Sequence, residues 1–329
     1  MSAVGTGTKP VGAMELGDHL ALIFDDDEER RSIMAAYARD GVAAGHKVIY
    51  ISDGVRAGDV LGWLLAEHES TGPASHGAPH GAPHGAPHGA PHGAPEGAPE
   101  GAPVDLAEAM EEGHFVVRTA EETFLASGRF DPSESLQLMA TEIDLALVQG
   151  YSGVRIAGEA RFSLRRWPGT HQHGDFERML DEVFMTTDLK AMAICQFDRR
   201  WFEGARLADV EAAHMGRVRA NDYYDDGALR ISPLFSPPGA RVAGVIDAAT
   251  RPAAASVLES IKTRTGLLCL DLEGLEACDP DGLRMLTGAD RPARDRGLLL
   301  RGVPAEVHAG LRAEGLDEAP GVSIERAVR

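Results

Sequence analysis

Short apolar runs alternate with longer amphipathic segments along the first two thirds of the chain. Five runs have the length and composition of buried strands, at residues 19–24, 47–52, 114–118, 154–159 and 191–197. Segments with helical periodicity lie between and after them, at residues 28–43, from 60 to 67, 106–112, 134–149, 174–185 and 207–217. Strands that alternate with helices through short connections form βαβ units and a parallel sheet. The pattern predicts an α/β domain over residues 17–218, with a doubly wound, mostly parallel sheet between helices.

Two of the predicted helices begin at polar residues. The acidic residues 25–27 follow the first strand, and carboxylates favour the positive end of a helix dipole. Ser133 is the predicted N-cap of the helix over residues 134–149.

Three segments interrupt the alternation. Residues 1–16 are glycine-rich, and we expect them to be flexible. Residues 76–103 read HGAP five times and EGAP twice, a repeat that cannot bury apolar surface and predicts a disordered insertion. Its five histidines either bind a metal or belong to a surface loop lengthened by repeat slippage, and the second interpretation is favoured. Residues 219–238 are predicted to be an edge element and a linker.

The second domain is predicted to start at residue 239. Its pattern is strand, helix, strand, turn, helix, strand and helix, ending near Gly315. Residues 244–250 (GVIDAAT), residues 270–283 (LDLEGLEACDPDGL) and the pair Gly315–Leu316 resemble a STAS domain, the family of sigma-factor-regulator antagonists and transporter tails. The resemblance covers residues 239–329 and implies a STAS-type α/β fold.

The resemblance implies a partner-binding surface at a helix start in this domain. Its predicted residues are Asp279, Asp281 and Gly282. In switched members of the family a kinase phosphorylates a serine where this chain has Asp281. That aspartate either imitates the phosphorylated state or serves only as an N-cap.

The first domain resembles the MEDS domain, a bacterial and archaeal sensory module. The resemblance lies in residues 19–24 with 41–52, in residues 154–159 followed by Phe162, and in Phe176–Glu177 with residues 194–200. Phe162 and Phe176 stand where Trp and Tyr are expected in relatives. The family's layout is that of a degenerate RecA/KaiC-type domain.

That layout raises the question of nucleotide hydrolysis. A phosphate-binding loop needs the pattern GxxxxGK[ST] between the first strand and the first helix. Residues 24–30 read FDDDEER, which lacks both glycine and lysine. We therefore expect no enzymatic activity and no catalytic residues.

A ligand crevice is still expected where the strands of a parallel sheet end. Its predicted residues are Phe24, Asp25, Glu159, Arg161, Asp198 and Arg199. Glu159 and Arg161 either orient a polar ligand or form a structural ion pair. His171 and His173 either bind a metal or lie in a solvated loop, and the loop is favoured; no cofactor or metal is expected.

Composition limits the class of partner. The 329-residue chain has a net charge of -19 and a pI near 5.1, which argues against nucleic acid or an anionic membrane as the partner. Three cysteines at irregular spacing, without an apolar segment of signal-peptide or membrane-spanning length, favour a reduced cytoplasmic protein.

Together these features predict a cytoplasmic signalling regulator in which the sensory domain controls the STAS domain. The expected partner is an anti-sigma factor of the kinase-like type or another STAS-interacting protein, and the first domain takes an unidentified small molecule. Two alternatives are a degenerate nucleotide-binding enzyme of the RecA/KaiC type and a STAS scaffold that senses nothing.

Overall fold

The computed structural model describes residues 7–70, 104–186, 188–261, 266–289 and 297–325. Within these ranges, residues 7–68 and 104–219 form one compact unit and residues 220–325 form a second. The predicted disordered insertion at residues 76–103 lies outside the described residues. Among the described helices, none combines the length and the apolar character needed to cross a membrane.

The first unit is built on a parallel sheet flanked by helices. In spatial order its strands are β1-β7-β2-β6-β5-β3-β4. The strands are β1 (Gly7–Pro10), β2 (His19–Phe24), β3 (His46–Ser52), β4 (Phe115–Thr119), β5 (Gly153–Glu159), β6 (Ala191–Asp198) and β7 (Gly216–Arg219). The helices are α1 (Asp27–Ala43), α2 (Ala57–Ser70), α3 (Leu106–Glu111), α4 (Pro132–Val148), α5 (His173–Thr186) and α6 (Ala205–Ala212). The predicted α/β class and parallel sheet are confirmed.

The two strands nearest one edge of this sheet differ from the prediction. β1 lies in the segment expected to be flexible, and β7 occupies the end of the helix predicted over residues 207–217. Their sequences, GTKP and GRVR, are too short and polar to show a strand pattern. They pair with each other in parallel, and a Cβ atom at Gly216 would lie 2.4 Å from the Gly7 carbonyl oxygen. The close approach of the two backbones therefore requires glycine at residue 216.

A third difference concerns the start of α4. Asp131, not Ser133, is its N-cap, since the Asp131 carboxylate accepts hydrogen bonds from the amides of Ser133 (3.0 Å) and Glu134 (3.2 Å). Pro132 then occupies the first helical turn, where its missing N–H group has no cost.

An aromatic core fills the space between the sheet and the helices α4 and α5. Phe130, Phe162, Phe176 and Phe197 are all at most 3% exposed, and the ring centroid of Phe130 lies 5.5 Å from that of Phe162 and 5.6 Å from that of Phe176. Phe162 and Phe176, which the resemblance placed at positions of Trp and Tyr, are thus core residues in this chain.

The second unit is built on a mixed sheet. Its strands are β8 (Tyr224–Asp225), β9 (Leu229–Phe235), β10 (Pro238–Ile246), β11 (Leu267–Asp271), β12 (Leu275–Cys278), β13 (Gly297–Arg301) and β14 (Val322–Ile324). The order is β14-β13-β11-β10-β9-β8, with β12 also paired with β10. β9 is antiparallel to both of its neighbours, and the other pairings are parallel. Its helices are α7 (Arg251–Ser260), α8 (Pro280–Thr287) and α9 (Ala305–Ala313).

The segment predicted as an edge element and a linker, residues 219–238, contributes β8 and β9 to this second sheet. β9 pairs with β10 from Leu229 opposite Gly244 to Phe235 opposite Pro238. Leu229 and Ile231 are fully buried while Arg230 between them is exposed, as expected for a strand with one face in the core. Prolines and acidic residues around this short alternation conceal it in the sequence.

Candidate functional sites

The connection after β2 begins a helix whose first amides are already occupied. Asp26 is the N-cap of α1, and its Oδ1 accepts hydrogen bonds from the amides of Glu28 (2.7 Å) and Glu29 (3.4 Å). Free amides at a helix start are the groups that bind phosphate in nucleotide-binding domains. In this chain the Asp26 carboxylate accepts from these amides, in the position that a phosphate would occupy.

A cavity of about 390 Å³ lies beyond the carboxyl ends of β2, β3, β5 and β6. Of the six predicted crevice residues, Phe24, Glu159, Arg161 and Asp198 line it. The prediction is wrong for Asp25 and Arg199, which are exposed and do not line the cavity. The sequence prediction missed the other lining residues, which are Asp27, Arg30, Asp53, Val55, Gln196, Arg200 and Trp201.

Glu159 is held at the floor of this cavity by three donors. Its Oε1 accepts from the Tyr50 hydroxyl (2.6 Å) and from Arg30 Nη1 (3.3 Å), and its Oε2 accepts from the Asp53 amide (3.0 Å). Its ion-pair partner is Arg30. The predicted structural ion pair of Glu159 with Arg161 is therefore wrong.

Arg161 instead lies at the mouth of the cavity. Its guanidinium is 5.0 Å from the centroid of the Trp201 ring, and both side chains are more than half exposed. Its Nε is 4.0 Å from Oδ2 of Asp53, whose carboxylate is 2.9 Å from Arg165. Burial raises the pKa of Asp53, although the charges of Arg165 and Arg161 oppose this. The mouth thus offers a planar cation stacked on an indole ring.

Arg200 joins the two other carboxylates of the cavity wall. It donates from Nε and Nη2 to the two oxygens of Asp198 (2.8 and 2.7 Å), and Nη2 also lies 2.8 Å from Asp27. The hydrogen bond with Arg200 lowers the pKa of Asp27. The wall is thus a network of alternating charges, suited to a polar ligand that replaces one partner of a pair.

A second group of polar residues, here called the inner polar cluster, is buried in the first unit. Its four members offer ligand atoms within 4.8 Å of one another: His19, Glu177, Cys195 and His214. Although burial opposes ionisation, the neighbouring histidines lower the pKa of Glu177 to about 2. Burial lowers the pKa of His214 to about 4 and raises that of the Cys195 thiol.

The sequence prediction missed this cluster because its members come from β2, α5, β6 and the segment after α6. Near the cluster, the sequence suggests metal binding only for a neighbour, His173, as one of two histidines for which a solvated loop is favoured. That assignment fits His171 and is wrong for His173. His171 is exposed in a 3₁₀ turn, whereas His173 begins α5, is 8% exposed and lies 3.2 Å from Glu177.

The predicted partner surface of the second unit lies at the start of α8. The N-cap there is Asp279, whose Oδ1 accepts from the Gly282 amide at 2.6 Å. The interpretation of Asp281 as N-cap is therefore wrong by two residues. Asp281 lies in the first turn with a side chain 63% exposed, 3.1 Å from Arg284 and 3.5 Å from Arg251. Arg251 also pairs with Asp279 at 2.8 Å, so one guanidinium connects both carboxylates.

Gly282 serves the packing beneath this surface. It is buried, and a Cβ atom there would lie 2.7 Å from both Cys278 Sγ and Ile246 Cγ2. A side chain at this position would separate α8 from the sheet. Gly282 thus allows the helix start to lie close to β10 and β12.

Fold and sites together define the class of protein. It is a two-domain α/β protein: a parallel sheet with a crevice at its carboxyl edge and an acidic helix start, followed by a mixed sheet with an exposed aspartate on the first turn of a helix.

Comparison with known families identifies both domains. Residues 96–215 match the family described as the methanogen/methylotroph, DcmR sensory domain (MEDS), and residues 235–324 match a family described as Mlab, STAS domain. The chain carries a MEDS domain followed by a STAS domain, which confirms both resemblances. This pair indicates a role in signalling, and the STAS domain implies a protein partner.

Comparisons with curated proteins and with solved structures do not identify a family. No curated protein matches the sequence. Among solved structures, a KaiC-like protein from the hyperthermophilic archaeon Pyrococcus horikoshii is similar, with 12% sequence identity and a TM-score of 0.37, over 66% of this chain and 78% of that chain.

Proposed function

We propose that this chain is a non-enzymatic cytoplasmic signalling protein. Its MEDS domain binds a small polar ligand in the carboxyl-edge cavity, and its STAS domain binds an anti-sigma factor of the kinase-like type. The order of the two domains supports a signal passing from the first to the second.

The observation that carries the proposal is the exposed carboxylate of Asp281. It stands on the first turn of α8, where the resemblance to switched STAS domains places a phosphorylated serine. Arg251 and Arg284 hold it in place while leaving 63% of the side chain exposed. A fixed negative charge at a helix start favours one binding state of such a surface.

The cavity of the MEDS domain supports the sensory part of the proposal. Its volume of about 390 Å³ suits a small organic molecule, and its wall presents both carboxylates and guanidinium groups. The exposed indole of Trp201 beside Arg161 suits a planar part of the ligand.

The start of α1 supports the proposal that the protein is not an enzyme. Because the Asp26 carboxylate occupies the amides of Glu28 and Glu29, a triphosphate would have to displace it and approach three further acidic residues. We expect purified protein to hydrolyse neither ATP nor GTP. Turnover that falls in a Glu159→Gln variant would replace the proposal with the nucleotide-dependent enzyme.

Binding to the kinase-like anti-sigma factors encoded in the same genome tests the partner. Titration calorimetry with the full chain should identify at least one that binds, and Asp281→Ala and Asp281→Ser should change its affinity by about tenfold or more, equivalent to ~1.4 kcal/mol. Glu306→Ala is the matched control, since Glu306 is an exposed carboxylate in the first turn of α9. The proposal fails if no factor binds, or if both Asp281 variants bind as tightly as the Glu306 variant.

A further inference from the structure

The inner polar cluster has the composition and geometry of a metal site. The Nε2 atoms of His19 and His214 each lie 3.6 Å from Oε2 of Glu177. The Sγ atom of Cys195 lies 3.5 Å from Nε2 of His19. Ligands bound to tetrahedral Zn²⁺ at its usual bond lengths are about 3.3 to 3.8 Å apart. These three separations fall in the range expected for a zinc-sized tetrahedron, and all four ligand atoms lie within 4.8 Å of one another.

Both histidines direct Nε2 to the centre of the cluster and Nδ1 to an oxygen atom outside it. The Nδ1 atom of His214 lies 2.7 Å from the carbonyl oxygen of Val210, which can only accept a hydrogen bond. The Nδ1 atom of His19 lies 3.1 Å from Oδ1 of Asp181. In its neutral form each imidazole therefore carries its proton on Nδ1 and has its lone pair on Nε2, which faces the centre of the cluster. Metal-binding histidines are oriented in this way by a carbonyl or a carboxylate.

Two buried atoms of the cluster have no hydrogen-bond partner in the part of the chain that the structure describes. Among the described residues, neither Glu177 Oε2 nor His214 Nε2 has a hydrogen-bond partner, although Glu177 and His214 are only 2% and 5% exposed. Buried polar atoms without partners reduce the stability of a fold, and a metal ion would satisfy both. The other carboxylate oxygen of Glu177 is already held, 3.2 Å from His173 Nε2.

We propose that the inner polar cluster is a closed site for Zn²⁺. A thiolate and two imidazoles select a borderline-soft transition metal over Mg²⁺ or Ca²⁺. The thiolate of Cys195 and the carboxylate of Glu177 together neutralise a divalent ion. With four protein ligands the coordination is complete, so the ion has a structural role and ties α5 and the segment after α6 to strands β2 and β6. This inference does not depend on the proposed function.

Zinc binding by the full chain tests the proposal. The background is a chain without the other histidine-rich segment, in which His76, His80, His84, His88 and His92 are all replaced by glutamine. We expect about one Zn²⁺ per chain by elemental analysis, a higher thermal midpoint with Zn²⁺, and a thiolate-to-metal absorption band when Co²⁺ replaces it. These three measurements require no change to the cluster itself.

Variants then assign the ligands. Cys195→Ser should abolish the Co²⁺–thiolate band and weaken Zn²⁺ binding by about 100-fold or more, and Asp181→Asn should weaken it by about tenfold through the orientation of His19. Cys269→Ser is the matched control, because Cys269 is a buried strand cysteine of the second unit. A background chain that binds no zinc, shows no thiolate band with Co²⁺, or keeps its affinity in Cys195→Ser would overturn the proposal. Zinc bound only by the repeat histidines would do the same.

Discussion

At the scale of single residues, the stability of the first unit depends on a histidine that accepts a hydrogen bond from a buried arginine. Arg155 is 6% exposed, and its Nε donates to Nδ1 of His46 at 3.3 Å while its Nη1 donates to the Tyr37 carbonyl at 3.2 Å. Nδ1 of His46 can accept this hydrogen bond only when it is unprotonated. Burial and then the charge of Arg155 lower the pKa of His46 to about 4.

This arrangement predicts a loss of stability in mild acid. In the unfolded chain His46 titrates near 6.5, so between pH 6.5 and pH 4 the unfolded state binds more protons. The free energy of unfolding therefore falls as the pH drops through this window. His46→Gln, which keeps an acceptor but does not titrate, should reduce the loss by about 1 to 2 kcal/mol, allowing for solvent screening.

Urea unfolding at pH 7 and pH 4.5 measures the effect. Tryptophan fluorescence reports the first unit alone, because Trp63, Trp167 and Trp201 all belong to it. His171→Gln, at an exposed histidine of the same unit, is the control. An equal pH dependence in both variants would contradict the role given to His46.

At the scale of elements, the starts of α1 and α8 each depend on one particular carboxylate among several. Residues 25–27 are all aspartate, yet they differ in role: Asp26 caps α1, Asp27 pairs with Arg200, and Asp25 is exposed. The same holds near α8, where Asp279 is the cap and Asp281 is on the surface. Composition indicates that a helix begins, while the backbone path decides which side chain reaches the free amides.

Substitution of the N-cap residue should therefore lower the free energy of unfolding, whereas substitution of the neighbouring aspartate should leave it nearly unchanged. Asp26→Ala should lower the free energy of unfolding of the first unit by about 1 kcal/mol, and Asp25→Ala should change it by less than about 0.5 kcal/mol. Fluorescence-detected urea unfolding at pH 7 compares the two. A loss of the same size in both variants would mean that general acidity, and not the cap, stabilises the start of α1.

At the scale of the whole molecule, the boundary between the units decides which fragments fold. A second domain starting at residue 239 would omit β9, which covers one side of β10 and buries Leu229 and Ile231. Loss of these two side chains from the core removes about 3 to 6 kcal/mol, which approaches the total stability of a small domain.

Two fragments test this boundary. Residues 220–329 should unfold cooperatively on heating, as followed by circular dichroism, and residues 239–329 should be largely unfolded or aggregated. A fragment that begins at residue 210 controls for added length and should match the first. If residues 239–329 unfolded at the same temperature as residues 220–329, β9 would not belong to the folding unit.

The sequence by itself determined the strands whose own residues form a continuous apolar run. The runs that became β2, β3, β5 and β6 are continuous enough to be read without a partner, because central strands of a parallel sheet are covered on both faces. The STAS and MEDS resemblances were equally accessible, since each lies in short contiguous segments. The missing phosphate-binding loop was visible in seven consecutive residues.

The tertiary structure decided everything that depends on a distant partner. The strands β1 and β7 are recognisable only beside the strands that pair with them, because their own residues carry little apolar pattern. The short alternation in β9 is assigned to the second sheet only by its pairing with β10. Glu159 pairs with Arg30 and not with Arg161, two residues away, because side chains at the end of β5 diverge while the start of α1 approaches them. The inner polar cluster, drawn from residues 19 to 214, exists only after the sheet is assembled, since sequence separation contains no information on which buried atoms meet.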